Sequence, residues 1–399
     1  MQTPGNFQGF FIAIQLILSI TLKKNIAMSS RYSFFLLGAI FVACSQPKSK
    51  DLNNSHTEDS IAYLKNENCQ LGIDPYGGAF VNFQFNSIHV NPFTWKLSQE
   101  QMPVNNQNGA VFQGHFLCLG RWGQPTSGEI KAGIPHNGEP ANTWWNLSET
   151  SIHQLSMNNI APLDGLSIQR VVKLHRIHPV FKVTEEVTNE LSIGRIYNIV
   201  QHPTIGPPFL DTSLVVFSNA GPGFFQVDAL PNPEARAYNW PTAINDSLSQ
   251  PIDLQATSNI NYVTTHIFPT HEKYGWVAAY SPTHDLILGY FWSLSDYPWL
   301  NIWNHFENKE PVAKGLEFGT TGIGADYEKL LAHDTRFHGH NSFEYIDAGE
   351  TKQKVYFGFL IHSTAKIKSL NSILLDDGVL KITNEKDQSV AEFDINPLL

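Results

Sequence analysis

Positive charge, helical periodicity and cysteine are all scarce in this sequence. Only 16% of the residues are charged, and 26 lysines and arginines stand against 36 aspartates and glutamates, for a formal net charge of −10. No basic run occurs, which argues against nucleic-acid binding, because phosphate recognition needs clustered positive side chains. No repeat of about 20 to 50 residues is present, so we expect neither a solenoid nor a propeller.

The motifs of several common enzyme classes are also missing. The sequence has no G-x-S-x-G, no Walker A and no H-E-x-x-H, and the glycines of Gly319–Gly324 have the wrong spacing for dinucleotide binding. His338 and His340 lie near Glu344, but such a pair holds a metal only where a third ligand converges, and surface-loop histidines are the favoured interpretation. We therefore expect no metal and no organic cofactor.

The N-terminal region has the pattern of a targeting segment. An apolar run, Phe34–Ala43, follows a basic residue and ends at Cys44, which is typical of a bacterial lipoprotein signal; a buried strand or helix is the alternative. We predict that residues 1–44 are the targeting segment and that Cys44 is lipidated after cleavage. Met28 lies where an initiator would be expected, in which case residues 1–27 would be an over-extended start, but the sequence does not decide the start codon. A polar tether would follow over residues 45–67. The protein would then be extracytoplasmic, touching a bacterial membrane only through its lipid anchor.

Beyond residue 67 the sequence is rich in the residues of strands and turns. Aromatic residues make up 12% of the chain, with 28 glycines and 23 prolines. Phe181, Val183 and Val187 alternate with polar residues, as in a half-buried strand whose apolar face Glu185 interrupts. The one clear helical stretch is Asp326–Ala332. This pattern predicts an all-β protein, with residues 68–399 forming one large antiparallel β-sandwich.

The C-terminal stretch and two cysteines leave open questions about this domain. Ser369–Asp394 again has the pattern of short strands, which we expect to close the same sandwich. Cys69 and Cys118 could form a disulfide in an oxidising compartment, but the sequence does not show whether they meet. The sequence does not indicate an oligomeric state.

Two segments carry residue types suited to ligand binding. Arg121 lies beside a tryptophan between turn glycines, and an arginine can bind vicinal sugar hydroxyls through its fork of donors. A structural arginine stacked on that indole fits equally well. His136 and Glu139 occur shortly before Trp145, although the intervening Asn137-Gly138 also fits a simple hairpin turn.

Two further segments suggest acid–base chemistry. His202 lies where a strand meets a rigid loop of proline and glycine, a position at which functional residues often occur. Glu317 lies in an apolar strand after Trp303 and Asn304, and a carboxylic acid there needs a partner or a function. A packing histidine and a structural ion pair are the alternatives.

In these segments the chain resembles the galactose mutarotase-like superfamily, and most closely the aldose 1-epimerases. The likeness runs in order from about Leu71 to Ile361. The matching residues are Arg121, His136 before tryptophan, His202 after Asn198, Trp303-Asn304, Glu317 in Leu-Glu-Phe, and Phe343–Glu350 as a closing strand and turn. His-Asn-Gly-Glu replaces the usual His-Gly-Gly and Phe318 replaces proline, so the resemblance bears on the fold more than on the substrate.

The resemblance implies a mono- or oligosaccharide ligand and an exchange of its anomers. Glu317 would be the base and His202 the acid, on opposite sides of the sugar. Arg121, His136 and Glu139 would bind the sugar, as would Asn304, with Trp145 or Trp303 stacked on the ring. The alternatives are a lipid-anchored glycan-binding protein without catalysis, a lyase or sugar-phosphate epimerase on the same fold, and a structural role in an outer-membrane assembly.

Overall fold

A computed structural model describes residues 60–244, 250–363 and 365–399 of the chain. The predicted targeting segment, the start at Met28 and the lipidation of Cys44 lie outside these residues. The last part of the predicted tether is described, and there Ala62–Lys65 form a strand whose Leu64 is buried. Residues Thr57–Leu399 form one compact unit. None of the described helices has the length and apolar character needed to cross a membrane.

Antiparallel strands dominate the described residues, and most belong to two large sheets. The twelve-stranded sheet contains, in spatial order, β1 (Ala62–Lys65), β2 (Cys69–Asp74), β3 (Ala79–Phe85), β4 (His115–Leu119), β10 (Ile199–Ile205), β20 (Glu310–Gly319), β19 (Trp299–Glu307), β16 (Tyr262–His266), β12 (Pro222–Phe225), β13 (Tyr238–Asn239), β14 (Thr242–Ala243) and β15 (Ile252–Asp253). The eight-stranded sheet contains β11 (Val215–Ser218), β17 (Tyr274–Ser281), β18 (Leu286–Ser293), β22 (Thr351–His362), β8 (Val180–Asn189), β7 (Leu166–Leu174), β6 (Gln154–Ala161) and β5 (Asn146–Thr150).

Two smaller sheets and a few short helices make up the rest of the described secondary structure. The strands are β9 (Arg195–Tyr197) with β21 (Glu344–Ile346), and β23 (Leu370–Asp376), β24 (Val379–Asn384) and β25 (Ser389–Asp394). The α-helices are α1 (Ser127–Lys131) and α2 (Tyr327–Ala332), and the 3₁₀ helices are Gln99–Gln101, Val104–Asn106, Gln226–Asp228, Pro233–Arg236 and Asn396–Leu398.

Both α-helices begin at side chains that cap their free N–H groups. The helix expected near Asp326–Ala332 is confirmed as α2, and the Asp326 side chain accepts from the backbone N–H of Lys329. Helix α1 was not predicted from the sequence. Its signal was Thr126 followed three residues later by Glu129, which together form a capping box.

The main core lies between the two large sheets. It is built from alternate residues of their strands, such as Leu117 and Leu316 from one sheet and Val183 and Leu288 from the other. The alternation predicted around Phe181–Val187 is therefore confirmed, and the architecture is the expected all-β sandwich.

The C-terminal strands do not extend this sandwich, contrary to expectation. β23, β24 and β25 form a separate three-stranded sheet. Its buried residues, among them Ile373 and Phe393, pack with Trp276 and Phe291 of the eight-stranded sheet, on the face turned away from the main core. The reason is that both faces of β17 and β18 are apolar and need to be covered.

The two cysteines of this domain are free and buried. Cys69 belongs to the main core, whereas Cys118 lies in a different apolar cluster. The disulfide that the sequence left open is therefore not formed.

A buried ion pair explains the acidic residue that interrupts β8. Glu185 accepts from Arg170 at 2.7 Å, and the two side chains are 0% and 1% exposed. The other oxygen of Glu185 accepts from Gln201 in the opposite sheet at 2.6 Å. Arg170 also donates to the carbonyl of Gly78 at 2.6 Å and stacks on Trp145. The pair thus connects the two sheets through the core.

Removing one partner of this pair should destabilise the protein strongly. Arg170→Met leaves a carboxylate buried without its counter-charge, and we expect the free energy of unfolding to fall by about 3 to 5 kcal/mol in urea titrations. Arg170→Met with Glu185→Leu should recover part of the loss. Arg336→Met, which breaks the exposed pair of Arg336 with Asp334, is the control and should change little. A stable single Arg170→Met variant would contradict this assignment.

Candidate functional site

Strand register places a row of side chains across the twelve-stranded sheet, on the face turned away from the main core. Phe116 pairs with His202, and Glu317 pairs with Asn301, which in turn pairs with Thr265. The pairing of β10 with β20 sets His202 opposite Glu317. Residues that pair directly across neighbouring strands point to the same side of a sheet, so these five side chains share one face. We call this the site face.

His202 and Glu317 are in direct contact at the centre of this row. Nε2 of His202 lies 3.2 Å from Oε1 of Glu317, and the side chains are 10% and 2% exposed. The His202 ring stacks on Phe116 with centroids 4.2 Å apart. Its Nδ1 lies 2.9 Å from the hydroxyl of Thr204. The two groups therefore lie side by side, and the expected placement on opposite sides of a sugar is wrong.

Burial decides where the proton of this pair resides. It raises the pKa of Glu317 well above its ordinary value, and the nearby Trp122 opposes this only in part. Burial, with a further effect from His136, lowers the pKa of His202 to about 3. Burial therefore favours the uncharged form of each group, a carboxylic acid in contact with a neutral imidazole. Oε2 of Glu317 is buried and has no hydrogen-bond partner among the described residues.

Aromatic rings surround the pair. Trp303 is partly exposed, and its ring centroid lies 6.2 Å from that of His202. It meets Trp95 edge-on and stacks on His305. Such faces suit the apolar side of a sugar ring.

Gly315 leaves a gap in this wall beside the acid. It lies on the site face two residues before Glu317 and opposite Trp303. An added Cβ would lie 2.7 Å from Oε1 of Glu317 and 3.1 Å from Cβ of Trp303. The missing side chain therefore leaves the space that the Glu317 carboxyl occupies against His202.

His136 is near this pair and keeps its imidazole free. Its ring lies 6.3 Å from Phe112, which stacks on Phe116, and its side chain makes no hydrogen bond to a described residue. Burial and the charge of Arg121 lower the pKa of His136 to about 4. It is therefore a neutral donor and acceptor, as binding of a hydroxyl requires. We call Phe116, His136, His202, Trp303 and Glu317 the site cluster.

Arg121 adjoins the site cluster, but its guanidinium is already paired with two carboxylates. Its guanidinium contacts Glu129 at 2.7 Å and Asp164 at 2.6 Å, and the side chain is 5% exposed. Its Nε has no hydrogen-bond partner among the described residues. Two anions therefore offset its one positive charge.

The structure does not bring the other predicted binding residues to the site cluster. Glu139 accepts from the backbone N–H groups of residues 163 and 164. Trp145 is buried in the main core, where it stacks on Arg170. Asn304 donates to the carbonyls of Ser258 and Ile260 and holds that loop. Each side chain thus has a structural role. Elsewhere, among the described residues, no three potential ligands converge as a metal site around His338 and His340 or in any other place.

Phe116, Thr204, Asn301 and Gly315 complete the site but were missed in the sequence. Thr204 could have been found, because it lies two residues after His202 on a strand and therefore shares its face. Phe116 and Asn301 reach the pair only through strand register. No local signal in the sequence marks them.

The sequence matches no protein-family model and no curated protein. Its structure, however, is similar to several solved structures. They include a galactose mutarotase related enzyme from Lactobacillus acidophilus (11% identity, TM-score 0.53, 77% of this chain and 98% of that chain) and a putative aldose 1-epimerase from Escherichia coli K12 (12%, 0.51, 75% and 98%). A galactose mutarotase-like protein from Lactobacillus casei is similar too (14%, 0.51, 75% and 99%). The expected galactose mutarotase-like fold is thereby confirmed; at these identities the likeness concerns the fold alone.

The raised pKa of Glu317 predicts a loss of stability as the pH rises. The folded protein keeps a proton on Glu317 that the unfolded chain releases near pH 4.5. The contribution of this retained proton to the free energy of unfolding is complete below that pH and is lost as the pH rises towards the raised pKa of Glu317. The glutamine of Glu317→Gln does not titrate. Above pH 5 the free energy of unfolding of this variant should therefore rise relative to that of the wild type, by up to about 1.4 kcal/mol per pH unit, as measured in urea titrations. If the difference in unfolding free energy between variant and wild type stayed constant from pH 5 to 8, Glu317 would not be a buried acid. Glu328→Gln, at an exposed position of α2, is the control.

Proposed function

We propose that this protein binds a saccharide at the site cluster and interconverts its anomers by acid–base catalysis. The observation that supports this most directly is the contact of a carboxylic acid with a neutral imidazole inside an aromatic wall. The same fold in proteins described as mutarotase-related and as a putative aldose 1-epimerase favours a sugar as the ligand. From the sequence alone, we also propose that Cys44 anchors the protein to a bacterial membrane.

The pair can supply both groups that the exchange needs. Transfer of the Glu317 proton to Nε2 of His202 creates a carboxylate and an imidazolium. The carboxylate takes the proton of the O1 hydroxyl while the imidazolium gives its proton to the ring oxygen. The O1–H electron pair becomes the new C1–O1 π bond, and the bond from C1 to the ring oxygen breaks. The open-chain aldehyde then rotates, and the reverse transfers close the ring on its other face and restore the pair.

The side-by-side arrangement matches the spacing of the reacting atoms. O1 and the ring oxygen are bonded to the same carbon, so neighbouring groups can reach both from one side. A bound sugar would replace the contact between Glu317 and His202 with one hydrogen bond to each group. His136 would bind a further hydroxyl and Trp303 would cover the ring.

The second candidate function is glycan binding without catalysis. The contact between Glu317 and His202 favours it, because each group already satisfies the other and both are neutral at rest. It predicts saturable sugar binding with no exchange of anomers.

Replacing the acid should stop the exchange. Glu317→Gln keeps the shape of the side chain but cannot accept the O1 proton, so we expect the exchange rate to fall about 10²- to 10⁴-fold. The measurement is NMR line exchange between anomers across free aldoses and short oligosaccharides. Glu328→Gln on α2 is the matched control. Near-normal exchange by a folded Glu317→Gln variant would refute the assignment, and wild-type binding without exchange would favour the second candidate.

The charges of the site predict a preference for uncharged sugars. Among the described residues, Arg121 alone places a permanent positive charge near His136, and Glu129 and Asp164 offset it. A phosphate or uronate would lie there without a free counter-charge. We expect a sugar 6-phosphate and a uronic acid to bind at least about tenfold more weakly than the neutral aldose, as measured by tryptophan fluorescence.

Freeing the arginine should reduce this discrimination. Glu129→Gln removes one of its two anions and should narrow the difference between phosphorylated and neutral sugar, whereas the exposed Glu328→Gln should not. Tighter binding of the phosphorylated sugar or the uronate by the wild type would instead favour the sugar-phosphate epimerase or the lyase.

A further inference from the structure

Thr204 holds the ring of His202 at the nitrogen that Glu317 does not reach. Its hydroxyl lies 2.9 Å from Nδ1 of His202, and its side chain is fully buried. Its backbone N–H donates to Gly114 at 2.9 Å, which fixes the strand at this point. Threonine is stiff about χ1, so this hydroxyl has a defined position.

The hydrogen bonds of this hydroxyl indicate which atom donates. The Thr204 hydroxyl can donate to the carbonyl of its neighbour His202 at 3.4 Å. Its lone pairs are then free to accept from Nδ1–H. The hydroxyl has no contact with bulk solvent, because Thr204 is 0% exposed.

Two tautomers of His202 fit the heavy-atom positions. In the first, Nδ1–H donates to Thr204 and Nε2 accepts the proton of Glu317. In the second, the Thr204 hydroxyl donates to Nδ1 and Nε2–H donates to Oε1 of Glu317, whose carboxyl is either ionised or protonated at Oε2. The second therefore leaves either a buried carboxylate without a contacting cation or a buried Oε2 hydroxyl with no acceptor among the described residues, and both are unfavourable. The first is therefore the resting state.

We propose that Thr204 is a positioning residue that fixes His202 as its Nδ1–H tautomer and so leaves Nε2 ready to take the proton of Glu317. This inference rests on the proposed role of His202 in anomer exchange. The stacked ring of Phe116 sets the plane of the imidazole, and Thr204 sets its rotation and its proton. Neither residue contacts the reacting atoms.

The chain offers a matched control at a second threonine–histidine pair. The hydroxyl of Thr264 lies 3.3 Å from Nε2 of His266, again two residues away on one strand, and both residues are 0% exposed. This pair belongs to β16 and faces away from the site face, because its neighbour Thr265 lies on that face. Thr264→Val therefore removes a comparable buried hydroxyl without touching the site cluster.

The tautomer can be measured without any sugar. In the full chain labelled with nitrogen-15 at histidine, NMR shifts distinguish a protonated ring nitrogen from an unprotonated one, and His202→Gln identifies the signals. We expect a protonated Nδ1 and an unprotonated Nε2 in the wild type. Thr204→Val should raise the share of the Nε2–H form, and Thr204→Ser should restore the wild-type pattern.

The catalytic readouts should follow the tautomer. An Nε2–H facing Glu317 favours its ionised form, so the alkaline fall in exchange rate should move to lower pH in Thr204→Val. The rate itself should drop about ten- to a hundredfold, as for groups that orient metal-bound histidines. Thr204→Ser should stay within about twofold of the wild type. Thr264→Val should change neither the His202 signals nor the pH profile.

Two results would overturn the proposal. One is a wild-type His202 protonated at Nε2, and the other is a folded Thr204→Val variant with unchanged His202 signals and pH profile. If Thr204→Val does not fold, the wild-type spectrum and Thr204→Ser still decide the tautomer. The expected tautomer in a protein without anomer exchange would support the positioning and refute only the proposed function.

Discussion

The buried ion pair of Arg170 and Glu185 is the constraint on which the site depends. Glu185 reaches across the core to Gln201, and the next residue along β10 is His202 on the opposite side of the sheet. Gln201 in turn contacts His115, which is bound to Tyr290 of the other sheet. Polar contacts between the two sheets thus fix β10 on its core face. The position of His202 on the opposite face therefore depends on these contacts in the core.

On the other side of that strand, the same low-polarity surroundings set the chemistry. Burial disfavours a charge there, so the neutral forms of His202 and Glu317 are favoured. The aromatic rings that bury the pair would also provide the flat surfaces that the proposed sugar ligand needs. Burial of the pair therefore accounts for its proposed reactivity and also for the stability that the fold loses there as the pH rises.

Much of the fold could be read from alternation along the strands, whereas the composition of the site depended on register. His202 and Glu317 were visible because each is polar in an apolar strand. Trp303 and Asn304 could not both face the ligand, since neighbours in a strand point to opposite faces, and the structure places Asn304 on a loop contact. Phe116 meets His202 only because β4 pairs with β10, a long-range pairing that no local pattern encodes. The separate C-terminal sheet was missed for a similar reason, because its strands look like any others until their partners are known.

The C-terminal sheet has a consequence for how the protein is made. Every strand of the eight-stranded sheet precedes β23, β24 and β25 in the chain, so during synthesis that sheet can assemble before its cover emerges. Until then the aromatic residues of its outer face, including Trp276 and Phe291, remain in contact with water. The nascent chain therefore exposes an aggregation-prone apolar surface until its C-terminal strands dock. This is the interval in which a chaperone would have most to protect.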